Sequence, residues 1–121
     1  FSAGGHLASS LATHFDDGDP KATNPVDRVS CRPDFAILIY PVITMDATTH
    51  QGSRTNLLGK DPSPKLIELY SNEKQVTAKT PPTFLAHAKD DKVVVPANSQ
   101  MFYDALQTHK VPGKYLELPT G

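Results

Sequence analysis

The chain has 121 residues, 38% of them hydrophobic and 21% charged, with a formal net charge of −1. These values suit one small folded domain with a single core and argue against disorder. Basic residues are scattered, which leaves no electrostatic case for nucleic acid or an anionic membrane surface, and no apolar run approaches the ~20 residues of a membrane-spanning helix.

Residues 3–15, AGGHLASSLATHF, carry a helical stripe. Gly4, Ala8, Leu11 and Phe15 share one face, with Leu7 beside it, and that face is expected to be buried. Residues 16–33 are rich in turn formers and read as a loop. Within it, Asp16-Asp17-Gly18-Asp19 lacks the spacing and terminal Glu of a calcium loop, so a solvated turn is expected and no metal. Cys31 is the single cysteine, which excludes an internal disulfide. It reads as a small buried hydrophobe rather than a nucleophile.

Phe35 to Tyr40 form a continuous apolar run, the pattern of a strand buried on both faces in a parallel sheet. Residues 44–62 read as irregular. Ser63 as N-cap and Pro64 at the first helical position predict a short helix over 63–71. PPTFLAHA, residues 81–88, predicts a second buried strand, followed by the acidic loop KDDKVVV. Pro96 opens a helix to about Thr108, with Phe102, Ala105 and Leu106 inward. Residues 114–119 alternate and predict a strand nearer an edge. The order of helix, strand, excursion, strand, helix and strand predicts an α/β fold with parallel strands and flanking helices. Without repeats or a Gly/Ser linker, residues 1–121 read as one domain with an excursion at about 44–80.

The chemistry concentrates at the start. A serine hydroxyl needs a base, a group to orient that base, and donors for the oxyanion. A sharp strand-to-helix turn of the form G-x-S-x-G presents such a serine at a helix N-terminus. Ser2-Ala3-Gly4 supplies the S-x-G half, and an amphipathic helix follows. Alone, this is equally the signature of an N-cap serine. The second element is LAHAKDDKVVVP at a strand end, where α/β sheets carry functional loops. Asp90-Asp91 there reads as a bare surface turn or as the acid of a triad.

FSAGGHLAS, PDFAILIYPVI and TPPTFLAHAKDDKVVVPANSQMFYDAL together resemble the α/β-hydrolase esterases, closest to bacterial acetyl-xylan-esterase-like and feruloyl-esterase-like proteins. The resemblance runs over nearly the whole chain and is loosest at 44–80. It implies a partial α/β-hydrolase fold and a serine ester hydrolase that deacetylates or deferuloylates a plant polysaccharide such as xylan, with no cofactor and no metal. It implies Ser2 as nucleophile, Asp91 as triad acid with Asp90 as the competing choice, and the Ala3 backbone N–H as an oxyanion donor. His6 and His87 take supporting roles beside these groups. The triad histidine follows the last strand in this family, and the chain ends LELPTG at about that place. The expectation is therefore the C-terminal part of a larger domain. Its partners are an acylated saccharide or small ester and the N-terminal half of the same fold, and these residues alone are close to inactive. A polysaccharide substrate would fit a secreted or periplasmic protein.

His109 alone follows Asp91 and so keeps the Ser…Asp…His order, but it falls at a helix end, where a cation favours the dipole. A prolyl-oligopeptidase-like peptidase, which would use the same triad, and a non-catalytic α/β binding module remain as alternative readings.

Overall fold

A computed structural model describes residues 1–121. The elements follow in chain order as α1 (Ser2–His14), β1 (Ala36–Ile39), α2 (Gln51–Leu58), α3 (Pro64–Tyr70), β2 (Thr83–Ala88), α4 (Ala97–Thr108) and β3 (Gly113–Leu118). Short 3-10 turns lie at Pro25–Arg28 and Asn72–Lys74. No helix is long and apolar enough to cross a membrane.

The three strands form one parallel sheet in the order β1-β2-β3. Register places Leu38, Leu85 and Tyr115 side by side, so they share one face. α4 lays Phe102 and Leu106 on that face, and together with Ile43, Val76 and Val111 they make the main core. A smaller cluster of Val42, Met45 and Val94, flanked by Leu58, Ile67 and Tyr70, ties the 44–80 excursion to the loop after β2. The caps follow the sequence. The Ser63 hydroxyl accepts the Leu66 N–H at 3.3 Å with Pro64 at the first helical position, and Pro96 immediately precedes α4.

Four expectations are corrected. The buried residues of α1 are Gly5, His6, Ser9 and Ala12, while Leu7 is 74% exposed and Leu11 46%. The helix packs through its small residues because they let its backbone approach β1 and Pro41 closely. β1 is buried on one face only. Leu38 is enclosed, but Phe35 and Ile37 on the other side are exposed because no helix of this chain covers that face. Residues 51–58 are helical rather than irregular, with His50 as N-cap. Cys31 is exposed, its sulfur accepting the Asp16 N–H at 3.3 Å in a surface loop.

Candidate active site

Ser2 opens α1 with φ +46, a left-handed backbone at a non-glycine residue, which costs about 1–2 kcal/mol for an L-residue. The surroundings enforce it. The Ser2 carbonyl accepts the Val42 N–H at 3.0 Å, and the Phe1 carbonyl accepts the Gly5 N–H at 2.9 Å. Phe1, the N-cap, offers no side-chain acceptor, and no acidic residue sits in the first turn. The Ala3 N–H lies in that first turn, where helix N–H groups have no intrahelical partner. It is therefore free to hold an anionic oxygen at the positive end of the helix.

β2 ends at Ala88 and delivers the acidic loop to the same end of the sheet. Asp91 is locked in place: Oδ1 accepts the Val93 and Val94 N–H groups at 2.9 Å each, and Oδ2 lies 3.3 Å from His87 Nε2. Its side chain remains 20% exposed, so the carboxylate keeps an open side. Asp90 is exposed, and its Oδ1 accepts only the Gly121 N–H, at 3.1 Å. Ser2, Tyr40, His87, Asp90 and Asp91 line one cavity of about 510 Å3. Tyr40, the residue after β1, is a second non-glycine position with positive φ, +37.

His87 is buried, with Nε2 2.7 Å from the Val94 carbonyl and Nδ1 2.8 Å from Ser99 Oγ. A carbonyl only accepts, so Nε2 carries the proton and Nδ1 accepts the Ser99 hydroxyl. His87 thus braces the turn that carries Asp91. His6 is also buried and donates Nε2–H to the Tyr70 carbonyl at 2.8 Å, joining α1 to the end of α3. Desolvation holds its pKa below the ordinary histidine value, and the nearby His14 adds to that. The other histidines are not brought to the cavity. His14 is exposed at the end of α1, His50 caps α2, and His109 closes α4 four residues before β3 begins. β3 runs parallel to β2, so the start of β3 lies at the opposite end of the sheet from Asp91.

Of the residues singled out in the sequence, Ser2, His87, Asp90 and Asp91 meet at this cavity and Ala3 and His6 line another, while Gly5, Tyr40 and Ser99 were not foreseen. Gly5 carried a signal, a second glycine one residue after the expected one. Tyr40 carried none, since an aromatic residue is not a left-handed former.

The chain matches the BD-FAE family over residues 1–106. It is 44% identical over 122 residues to endo-1,4-beta-xylanase B of Butyrivibrio fibrisolvens, an alignment taking in 100% of this chain and 19% of that protein. To the acetylxylan esterase of Xylanibacter ruminicola it is 39% identical over 112 residues, 88% of this chain and 21% of the relative. An acetyl ester-xyloside bifunctional hydrolase from Caldicellulosiruptor lactoaceticus superposes with a TM-score of 0.98 at 51% identity, over 100% of this chain and 44% of that one. The chain therefore spans less than half the length of each of these relatives.

Proposed function

The chain belongs to the BD-FAE family and has an α/β-hydrolase fold, and from that premise we propose that it forms the C-terminal part of a serine ester hydrolase domain acting on acylated plant polysaccharide such as xylan. The observation that carries this reading is the strained Ser2 at the head of α1 sharing a cavity with the braced Asp91. The names of the xylanase and acetylxylan esterase relatives support the substrate class.

In this reading Ser2 Oγ attacks the ester carbonyl carbon and gives its proton to a histidine, while the Ala3 N–H and a second donor hold the oxyanion. The tetrahedral intermediate collapses as the histidinium returns that proton to the leaving alcohol. Water then repeats the cycle and releases the acid. Asp91 orients the histidine and stabilises its charged form. None of the five histidines present is placed for the role. His6 and His87 are committed to backbone carbonyls, His14 and His50 serve helix ends, and His109 lies at the far end of the sheet. The general base and the second oxyanion donor are therefore assigned to residues outside these 121.

The test is substitution in the full-length protein, read as kcat/KM on an aryl acetate and on acetylated xylan. Ser2→Ala is expected to abolish turnover, a loss on the order of 10⁶-fold. Asp91→Asn should cost about 10⁴-fold, and Asp90→Asn only a few-fold. A larger loss at Asp90 than at Asp91 would shift the acid by one residue. Full turnover by Ser2→Ala would end the serine mechanism.

A further inference from the structure

Three consecutive residues after β1 hold three positions of the turn around Ser2. The Val42 N–H donates to the Ser2 carbonyl at 3.0 Å. Pro41 lies against Gly5 and leaves no room there for a side chain. Tyr40 stacks its ring on that of Phe1, the residue before the serine, with centroids 5.8 Å apart and planes inclined by 28°. Of the three, Tyr40 alone has a strained backbone, with φ +37. Were β1 to continue its alternation, Tyr40 would follow Leu38 to the buried face. Its N–H still bonds the Ala86 carbonyl of β2 at 2.8 Å, so the chain leaves the sheet at this residue. The left-handed turn there brings Tyr40, 42% exposed, into the wall of the Ser2 cavity instead.

We propose that Tyr40 is a positioning residue for the nucleophile: its ring, turned out of the sheet and stacked on Phe1, fixes the peptide that enters Ser2 and so the aim of Ser2 Oγ and the Ala3 N–H. The inference rests on the serine-esterase reading above. An aromatic residue in the left-handed region persists only where its surroundings over-determine it, and such residues cluster at functional sites. The proline that follows narrows its backbone choices further. Glycine would make the same turn without strain, so what the aromatic residue adds is its ring, and that ring contacts Phe1. A single hydrogen bond at the Ser2 carbonyl leaves the turn free to pivot about it. The Pro41 contact restrains the helix side of Ser2, and the Tyr40 ring restrains the side from which the chain enters. Aromatic pairs at this separation and tilt attract each other beyond the area they bury.

The experiment uses the full-length protein and separates the ring from the backbone. Tyr40→Ala and Tyr40→Gly both remove the ring, and only glycine also relieves the strain. Both are expected to lower kcat on an aryl acetate by about 10- to 100-fold, with KM little changed. Labelling of Ser2 by a fluorophosphonate should slow to the same extent. Tyr40→Gly should nonetheless have the higher urea midpoint of the two, because the left-handed backbone suits glycine. Tyr40→Phe, which keeps the ring, should recover most of the loss. Phe1→Ala should slow turnover as Tyr40→Ala does, and the double variant should be no slower than either alone, since both remove one contact. Turnover that follows stability, with Tyr40→Gly faster than Tyr40→Ala, overturns the proposal and leaves the esterase intact. So do additive losses in the double variant, or a Tyr40→Phe as slow as Tyr40→Ala. A loss confined to KM on acetylated xylan also overturns it, placing Tyr40 against the saccharide instead. A parent that neither turns over an ester nor is labelled at Ser2 overturns the esterase reading and the positioning role together.

Discussion

Gly5, rather than Gly4, is the glycine on which the turn at Ser2 depends. A Cβ at Gly5 would lie 2.6 Å from Pro41 Cβ and 2.8 Å from Pro41 Cα, whereas nothing lies within 4 Å of one at Gly4. The contact with Pro41 sets how closely α1 approaches the end of β1, and so the position of Ser2, whose carbonyl is bonded to the neighbouring Val42. Gly5→Ala is expected to destabilise by about 1–3 kcal/mol, because a proline backbone cannot yield without moving the strand end. Gly4→Ala is expected to be neutral or to gain up to about 1 kcal/mol, as alanine outranks glycine inside a helix. Urea unfolding of the two variants checks this, and equal effects would remove Gly5 from the account. Sequence inspection pointed to Gly4 because the motif counts residues, whereas the packing depends on which helical face meets Pro41.

At the scale of elements, Asn98 joins three pieces of chain. It is fully buried in the first turn of α4. Its Oδ1 accepts the Ile43 and Thr44 N–H groups at 3.0 and 3.1 Å, and its Nδ2 donates to the Thr48 and Val95 carbonyls at 3.1 Å each. All four bonding positions of the amide are used. Asn98→Ala would strand two buried N–H groups and loosen both the excursion and the loop carrying Asp91. A loss of about 2–4 kcal/mol is expected, measured by thermal or denaturant unfolding. A loss under about 1 kcal/mol would mean that apolar packing of Met45 and Val94 holds these segments instead. This junction was invisible in the sequence, because a buried asparagine has no periodic signature. The elements it joins were legible in part. Ser63-Pro64 and Pro96 mark α3 and α4 through local capping chemistry, and the run around Leu38 marks β1. α2 was missed because none of its residues is buried and its cap is a histidine, whose Nδ1 accepts the Ser53 N–H at 3.2 Å. The inward face of α1 was misassigned because hydrophobicity favours Leu7 and Leu11, while close approach favours Gly5, Ser9 and Ala12.

For the molecule as a whole, two titratable groups, the buried His6 and the half-buried Glu73, impose opposite pH trends on stability. Both are shifted mainly by desolvation, which disfavours the charged form. His6 is held below its ordinary value of 6.5. The unfolded chain therefore takes up a proton that the fold resists, and stability falls as pH drops from about 6.5 through the lowered folded value. Glu73 is raised above its ordinary 4.5 by burial, offset only in part by the Thr44 hydroxyl and the Lys74 charge, and its Oε2 has no partner. Its contribution is fully present below about pH 4.5 and is lost as pH rises through the raised folded value. Between the two ordinary values the slopes oppose each other and flatten the profile. Glu73→Gln removes one of them. The variant is expected to be more stable than the parent at pH 7, with an advantage that shrinks toward zero near pH 4, where the parent carboxyl is itself neutral. Its stability should also fall more steeply on acidification, because the His6 trend then acts unopposed. Urea midpoints of the two proteins from pH 4 to pH 8 decide the matter. An advantage of constant size across that range would show that Glu73 does not titrate there, and its shift would then have no part in the pH dependence of the fold.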